Sequence, residues 1–483
     1  MPAGVINCGL PKSIWSQAGH GSMFAIVRMK HIQFSALALL AALVAGCGPG
    51  ASSSHGPVVS SNQTNGTAAL KVSADPLALV LAPHSGDGRT DRQIIQLQQK
   101  LPSARQPVPM LEQLGWLFVA KARESFDPGF YKLAEACAAS IEAREPDANE
   151  ALLLRGHVLQ NLHRFKEAEP LARRLVARRG APFDFGLLGD VCMEQGRLAE
   201  AVEAYQKMVD LKPGPQAYAR IAHLRWLKGD LDGAVELMRE AAGSVSGVEA
   251  EASAWMLTKL AAYQWQQGDT NAARQSAAKG LMLQKDFPPT LLLLGKMDLA
   301  QGRISEAVER LQLATRANPL PEYQWALSEA LRAGGQIEVA AIVERDLMKH
   351  GAAEDPRTFS LFLATRRIEP SRAVELAEKE LLTRADVHTH DARSWALAAA
   401  GRWDEARRAS LSALSEGTAD PRLWLHAGCI AEQVGHTAEA RQHLEKATSA
   451  QQLLLPGERA LLKRSLEKLI SATNSAGIRA SIP

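Results

Sequence analysis

The sequence has no Gly-x-Ser-x-Gly elbow, no glycine-rich phosphate loop closed by Lys-Ser or Lys-Thr, no His-Glu-x-x-His and no Cys-x-x-Cys pair. The familiar ways of presenting a nucleophile, cradling a nucleotide, holding a hydrolytic zinc or building a redox dithiol are therefore missing. Aromatic residues are scarce, at 5%, and β-branched residues seldom run together, which argues against a sheet-built core. A surplus of one charge is lacking too. Three of the 55 Lys and Arg (Lys12, Arg28, Lys30) lie in a leader without Asp or Glu, so the rest of the chain balances at 52 of each sign. A nucleic-acid partner would need a clustered basic excess, so none is expected. Cys137, Cys192 and Cys429 are odd in number and sit inside helical patterns, so they read as small buried hydrophobes, not a disulfide framework. His388 and His390 are two apart, which on a helix points them to different faces; no metal and no cofactor is expected.

What is present is a repeated pattern. In residues 183–213, Leu188, Gly189 and Cys192 recur at helical spacing, Gly196 interrupts, and Ala201, Tyr205, Met208 and Leu211 resume the period until Pro213. That is a helical hairpin, with Gly189 and Ala201 placed where its two helices cross. The same twelve-residue offset returns as Gly156 with Ala168, Ala222 with Ala234, Ala261 with Ala273, Gly295 with Ala307, Ser328 with Ala340, Ser394 with Ala406 and Gly428 with Ala440. Gly229, Gly268, Gly302, Gly335, Gly401 and Gly435 each precede the alanine by five. Each helix is near or below the roughly 12–15 residues at which an isolated helix becomes marginal, so stability must come from stacking.

This signature resembles the tetratricopeptide repeat, with its small residue in the first helix, an alanine early in the second and a closing proline. The resemblance implies an all-α chain, a right-handed α-solenoid of about ten hairpins over residues 91–455, ended by a capping helix and tail at 456–483. Pro170 is expected to kink or shorten its helix, and the boundary within 351–386, whose turn Ile368-Glu369-Pro370 lacks glycine, is ill-defined. DRQIIQLQQKL, KARESFDPGFYKLAEA, HRFKEAEPLARRL and the segment from Asp391 to Ala440 also look like a recurrent bacterial group of tetratricopeptide proteins.

Residues 1–46 read as a leader with a signal peptide, for which Met29 is the better start. The apolar run from Phe34 to Val44 falls short of the roughly 20 residues a membrane span needs. Val44-Ala45-Gly46-Cys47 resembles the bacterial lipoprotein signal, which implies that Cys47 is acylated and joins the chain to a lipid bilayer. Gly48, in place of Asp, resembles the outer-membrane sorting preference of enteric bacteria and implies a periplasm-facing protein. Residues 47–90, rich in Gly, Ser, Asn and Thr at their start, are expected to form a flexible tether.

In this repeat family the first helix of each hairpin lines the concave surface. That register selects His157, Gln160, Asn161, Asp190, Glu194, His223, Trp226, Trp255, Trp265, Lys296, Trp325, Glu329, Arg332 and Trp395, five of the nine tryptophans among them. Tryptophan and arginine are frequent interface anchors, so the expectation is a non-catalytic scaffold that clamps a protein or peptide partner in a groove, in envelope assembly. The alternatives are a saccharide- or cell-wall-binding groove and an enzyme with an unrecognised site.

Overall fold

Proline and glycine set the rhythm of the chain. Pro182, Pro215, Pro288, Pro321, Pro356 and Pro421 each open the first helix of a hairpin, where a missing N–H costs nothing. A computed structural model describes residues 75–244 and 250–480, with side chains to residue 471. The leader, Cys47 and the tether up to residue 74 lie outside the described residues.

Ten antiparallel hairpins follow one another: Pro107–Ser125 with Gly129–Glu142, Asn149–Asn161 with Phe165–Arg178, Pro182–Glu194 with Leu198–Leu211, Pro215–Leu227 with Leu231–Gly243, Ala250–Gln266 with Thr270–Leu283, Pro288–Ala300 with Ile304–Ala317, Pro321–Ala333 with Ile337–Glu354, Pro356–Arg366 with Pro370–Leu381, Val387–Ala399 with Trp403–Ala413, and Pro421–Gln433 with Thr437–Ser449. Pro456–Ala480 is the last helix, and no strand occurs among the described residues. The repeated alanines Ala168, Ala201, Ala234, Ala273, Ala307, Ala340, Ala406 and Ala440 are all 0% exposed, so no larger side chain fits at these crossings. Gly189 makes the same point from the facing helix: a Cβ there would lie 2.3 Å from the Tyr205 ring.

Two local expectations are corrected and a third is accounted for. The tether does not run to residue 90, because Pro76–Val80 is already helical, capped by Asp75, with Val80 fully buried against the first hairpin. Its five residues are too few to show a period. Pro170 neither shortens nor interrupts Phe165–Arg178. In the eighth hairpin Arg367 and Glu369 take left-handed backbone (φ 54° and 45°) where other turns use glycine, and Ile337–Glu354 runs long up to Asp355, whose carboxylate caps the next helix at Thr358. Those features account for the indistinct repeat boundary at 351–386.

The solenoid also touches itself. Arg384 pairs with Glu194 at 2.6 Å, Lys228 with Glu416 at 2.7 Å, and Gln452 donates to the Trp265 carbonyl at 3.4 Å, partners 187 to 190 residues apart. Gly196 (φ 74°) sits so close to the 384–386 loop that a Cβ would lie 2.2 Å from the Ala385 carbonyl oxygen. Successive superhelical turns therefore stack, and they close over the inner face.

Candidate functional site

The inner helices of the fourth to seventh hairpins, with the start of the tenth, bound a chamber of about 400 Å³. Trp226, Trp255, Tyr263, Trp265 and Tyr323 supply aromatic walls, Leu292, Leu293, Leu453 and Leu454 aliphatic ones, and Lys259, Lys296, Glu322, Asp420 and Arg422 the charges. A second compartment of about 180 Å³ adjoins it across Lys296, Glu322, Asp420 and Arg422 and reaches Trp325, Arg357, His388 and Asp391.

One wall is a stack built from both superhelical turns. The Trp226 ring stacks with His223 (5.5 Å), His388 (5.7 Å) and Tyr263 (6.0 Å). Its Nε1–H donates to Gln266 at 2.8 Å, whose amide in turn donates to the Ala419 carbonyl. His388 thus does more than occupy a helix start. The charged floor is mostly paired: Lys296 with Glu322 at 2.5 Å, Arg422 with Glu458 at 2.6 Å, Arg357 with Asp386 at 2.8 Å. The Lys296 ammonium beside Glu322 holds that carboxyl down to about 2.

Lys259 differs. Its ammonium lies 5.6 Å from the centre of the Trp255 ring, and it forms no ion pair among the described residues. Desolvation lowers its pKa, while Glu322 and Glu194 pull it the other way from a distance. Burial, and then Lys259 and His388, push His223 down to about 3, so that ring is neutral. The chamber therefore offers flat apolar faces and one cation without a direct counter-charge, a combination that can hold an apolar group bearing a negative charge.

Of the residues selected from sequence, His223, Trp226, Trp255, Trp265 and Lys296 line the chamber, and Trp325 borders the second compartment. Their accessibility differs from the expectation of exposed anchors: Trp255 is 37% exposed, but Trp265 is 4% and Trp325 1% exposed, the latter edge-on to Phe362 and under Arg422. The others are engaged within the chain. His157 packs edge-on to Trp116, Asn161 accepts from Tyr131 at 3.0 Å and donates to Gln160, and Asp190 accepts from Tyr205 and Arg220. Glu194 binds Arg384, Glu329 accepts from the Gly457 N–H at 2.9 Å, Arg332 grips Glu344, and Trp395 stacks on His426 at 4.2 Å. Glu194 and Glu329 are covered because the closed pitch brings later parts of the chain onto them, whereas the rest are taken up by side chains of their own or the adjoining hairpin.

Lys259, Glu322 and Arg422 were not selected from sequence. Glu322 and Arg422 occupy the second position of their helices, the position Trp255 holds in its own register, so the signal was there. Among the described residues no three His, Cys, Asp or Glu gather as a metal site would require, and the three cysteines are free and buried.

Comparison with known proteins agrees with this architecture. Family models described as tetratricopeptide repeat match residues 153–218, 187–249, 264–331, 387–410 and 421–452. These matches are to the repeat itself, not to the narrower bacterial group. No curated protein matches the sequence. Among solved structures, the chain is similar to one in the crystal structure of the APC/C hetero-tetramer Cut9-Hcn1 (15% identity, TM-score 0.41), covering 82% of this chain and 64% of that one. It is also similar to the human IFIT1 dimer with PPP-AAAA (12% identity, TM-score 0.43), covering 77% of this chain and 94% of that one. With ten stacked hairpins and the repeat signature matched in five segments along them, this chain is a tetratricopeptide-repeat protein.

Proposed function

We propose that the chain is a non-catalytic scaffold for protein–protein interaction, tethered through acylated Cys47 to the bacterial outer membrane and facing the periplasm, where it serves envelope assembly. The repeat family supports the scaffold part of this reading. The sequence of the leader motivates the anchor. The observation that carries the binding part is the chamber, where Trp255 lies partly open beside Lys259, which has no ion-pair partner among the described residues. At about 400 Å³ it sits near the lower end of the roughly 300–1,000 Å³ of small-ligand pockets, so it accepts the tip of a partner and not a whole helix. The tip that fits carries an apolar or aromatic body and a carboxylate.

A photo-crosslinking residue placed at Trp255 in the native host tests this. The expected outcome is one discrete crosslinked protein, which disappears with Lys259→Gln while the thermal melt stays the same. No adduct, or an adduct indifferent to Lys259, would overturn the chamber as the contact. The second reading is a saccharide stacked on the open Trp255 face. Cell-wall fragments that block the crosslink where acidic peptides do not would favour it. The anchor is tested separately: Cys47→Ser is expected to leave an uncleaved precursor without acyl mass, and a lipid-free mature N-terminus in the parent protein would refute it.

A further inference from the structure

Where arginines of this solenoid enter shared ion pairs, carboxylates match them in number. In the second, third and ninth hairpins the turn arginine folds back on a glutamate three residues ahead: Arg164 on Glu167 at 2.6 Å, Arg197 on Glu200 at 3.1 Å and Arg402 on Glu405 at 2.7 Å. Where clusters form, the numbers stay level. Arg173 and Arg197 share Glu169 and Glu200, and Arg332 and Arg366 share Glu344 and Glu329.

The sixth hairpin departs from this. Its turn arginine, Arg303, leaves Glu306 and donates to Asp298, with Nε at 3.0 Å. Arg274, from the preceding hairpin, donates to the same carboxylate at 2.7 Å and to Gln301 at 2.8 Å, and Arg310 contacts its second oxygen. Asp298 is 0% exposed, whereas the three arginine side chains are 28%, 39% and 33% exposed. One carboxylate therefore faces three guanidiniums, and two positive charges remain over at an open turn. Neither Glu306 nor Glu309 pairs with them among the described residues. Burial pushes the guanidiniums of Arg274 and Arg310 down, with Arg274 adding to the push on Arg310, whereas hydrogen-bonded carboxylates hold Arg173 and Arg332 up.

Three planar forks held on one buried carboxylate, with charge to spare and open edges, have the chemistry of a receptor for a doubly charged oxyanion. We infer that Arg274, Arg303 and Arg310 bind a phosphate monoester, with Asp298 as the residue that positions their forks. The ester comes either on a soluble molecule or on a lipid headgroup, and the two are told apart by experiment. This site is separate from the chamber, so its fate does not depend on the partner-binding reading.

The probes are phenyl phosphate and vesicles of phosphatidylcholine with or without phosphatidate, offered to the full chain carrying Cys47→Ser so that no acyl anchor contributes, with the pull of its uncleaved leader subtracted as the binding to phosphatidylcholine alone. The key variant is Arg274→Gln with Arg310→Gln, which keeps the Arg303–Asp298 pair. Saturable one-to-one binding is expected, with affinity at least tenfold weaker in the double variant and a melting temperature in phosphate-free buffer that is unchanged or higher. Binding of phenyl phosphate by itself assigns a soluble ester; binding confined to phosphatidate vesicles assigns a headgroup. Binding to neither, equal binding to phosphatidylcholine alone, or binding untouched in the double variant overturns the site. A double variant that melts lower in phosphate-free buffer overturns it too, since the cluster would then be a structural network.

Discussion

The inner helices of the second and third hairpins share a register with those of the fourth to seventh, yet the two regions use it differently. In the first, polar inner side chains are taken up within the chain: Asn161 by Tyr131, Asp190 by Tyr205 and Arg220, Glu194 by Arg384. In the second, the helices bound a chamber in which Lys259 has no ion-pair partner among the described residues and Trp255 stays partly open. The register decides which side chains turn inward. Whether an inward side chain meets protein or empty space is decided by how its own and the adjoining hairpins fill the space before it and, at Glu194, by the next superhelical turn.

The strongest test of that division is Trp325→Ala. Its ring is 1% exposed at the border of the open region, so it is expected to behave as core and cost about 3–5 kcal/mol in a denaturant melt. An unchanged melt would put Trp325 on the binding side. Ala201→Trp, in the closed region, should cost about 3 kcal/mol by forcing the third hairpin apart, with cooperative loss of helicity. Retained stability there would undo the assigned crossing.

Acid should affect both regions through their half-buried histidines. Burial pushes His157 down to about 4 and His223 to about 3, whereas an unfolded histidine titrates near 6.5. As pH falls, the unfolded chain takes up protons first. The stability from neutral rings is therefore whole above about pH 6.5 and lost progressively below it, toward the folded values. The melting temperature should drop between pH 6.5 and 5, above the range of the depressed carboxylates, and drop less in His157→Gln with His223→Gln. An equal drop in that double variant would assign the acid sensitivity elsewhere. Trp255→Ala is the mildest change, expected to cost under about 1 kcal/mol because the face is 37% exposed, while weakening capture of the partner protein in a pull-down; a large loss of stability would make it core like Trp325.

Much of the fold was legible because hairpins obey local rules. The twelve-residue offset, the turn glycines and the opening prolines fix helices and crossings without reference to distant parts of the chain. The candidate site was legible in part. Trp226, Trp255 and Lys296 follow from the register, and Glu322 and Arg422 could have followed from it, since each holds a second inner position. Lys259 is four residues beyond Trp255 on the same helix face, a spacing that links the two once one is singled out. What no local pattern shows is His388 arriving on Trp226, or Trp325 sealed between Phe362 and Arg422. Those placements depend on the superhelical pitch, a sum of many small rotations between neighbours.

The approach of Gly196 to Ala385, repeated where Gly229 meets the Gly417 carbonyl, carries a consequence for how this chain can change over generations. A solenoid whose units touch only their neighbours can gain or lose a unit and remain sound. Here the loops at both ends of the interval between Gly196 and Ala385 must arrive face to face, with Arg384 on Glu194 and Lys228 on Glu416 as latches. Deleting one hairpin from that interval would rotate the latches out of step, so the repeat count between them is held constant much as the strand number of a closed barrel is. Variation in unit number is then confined to the ends of the array.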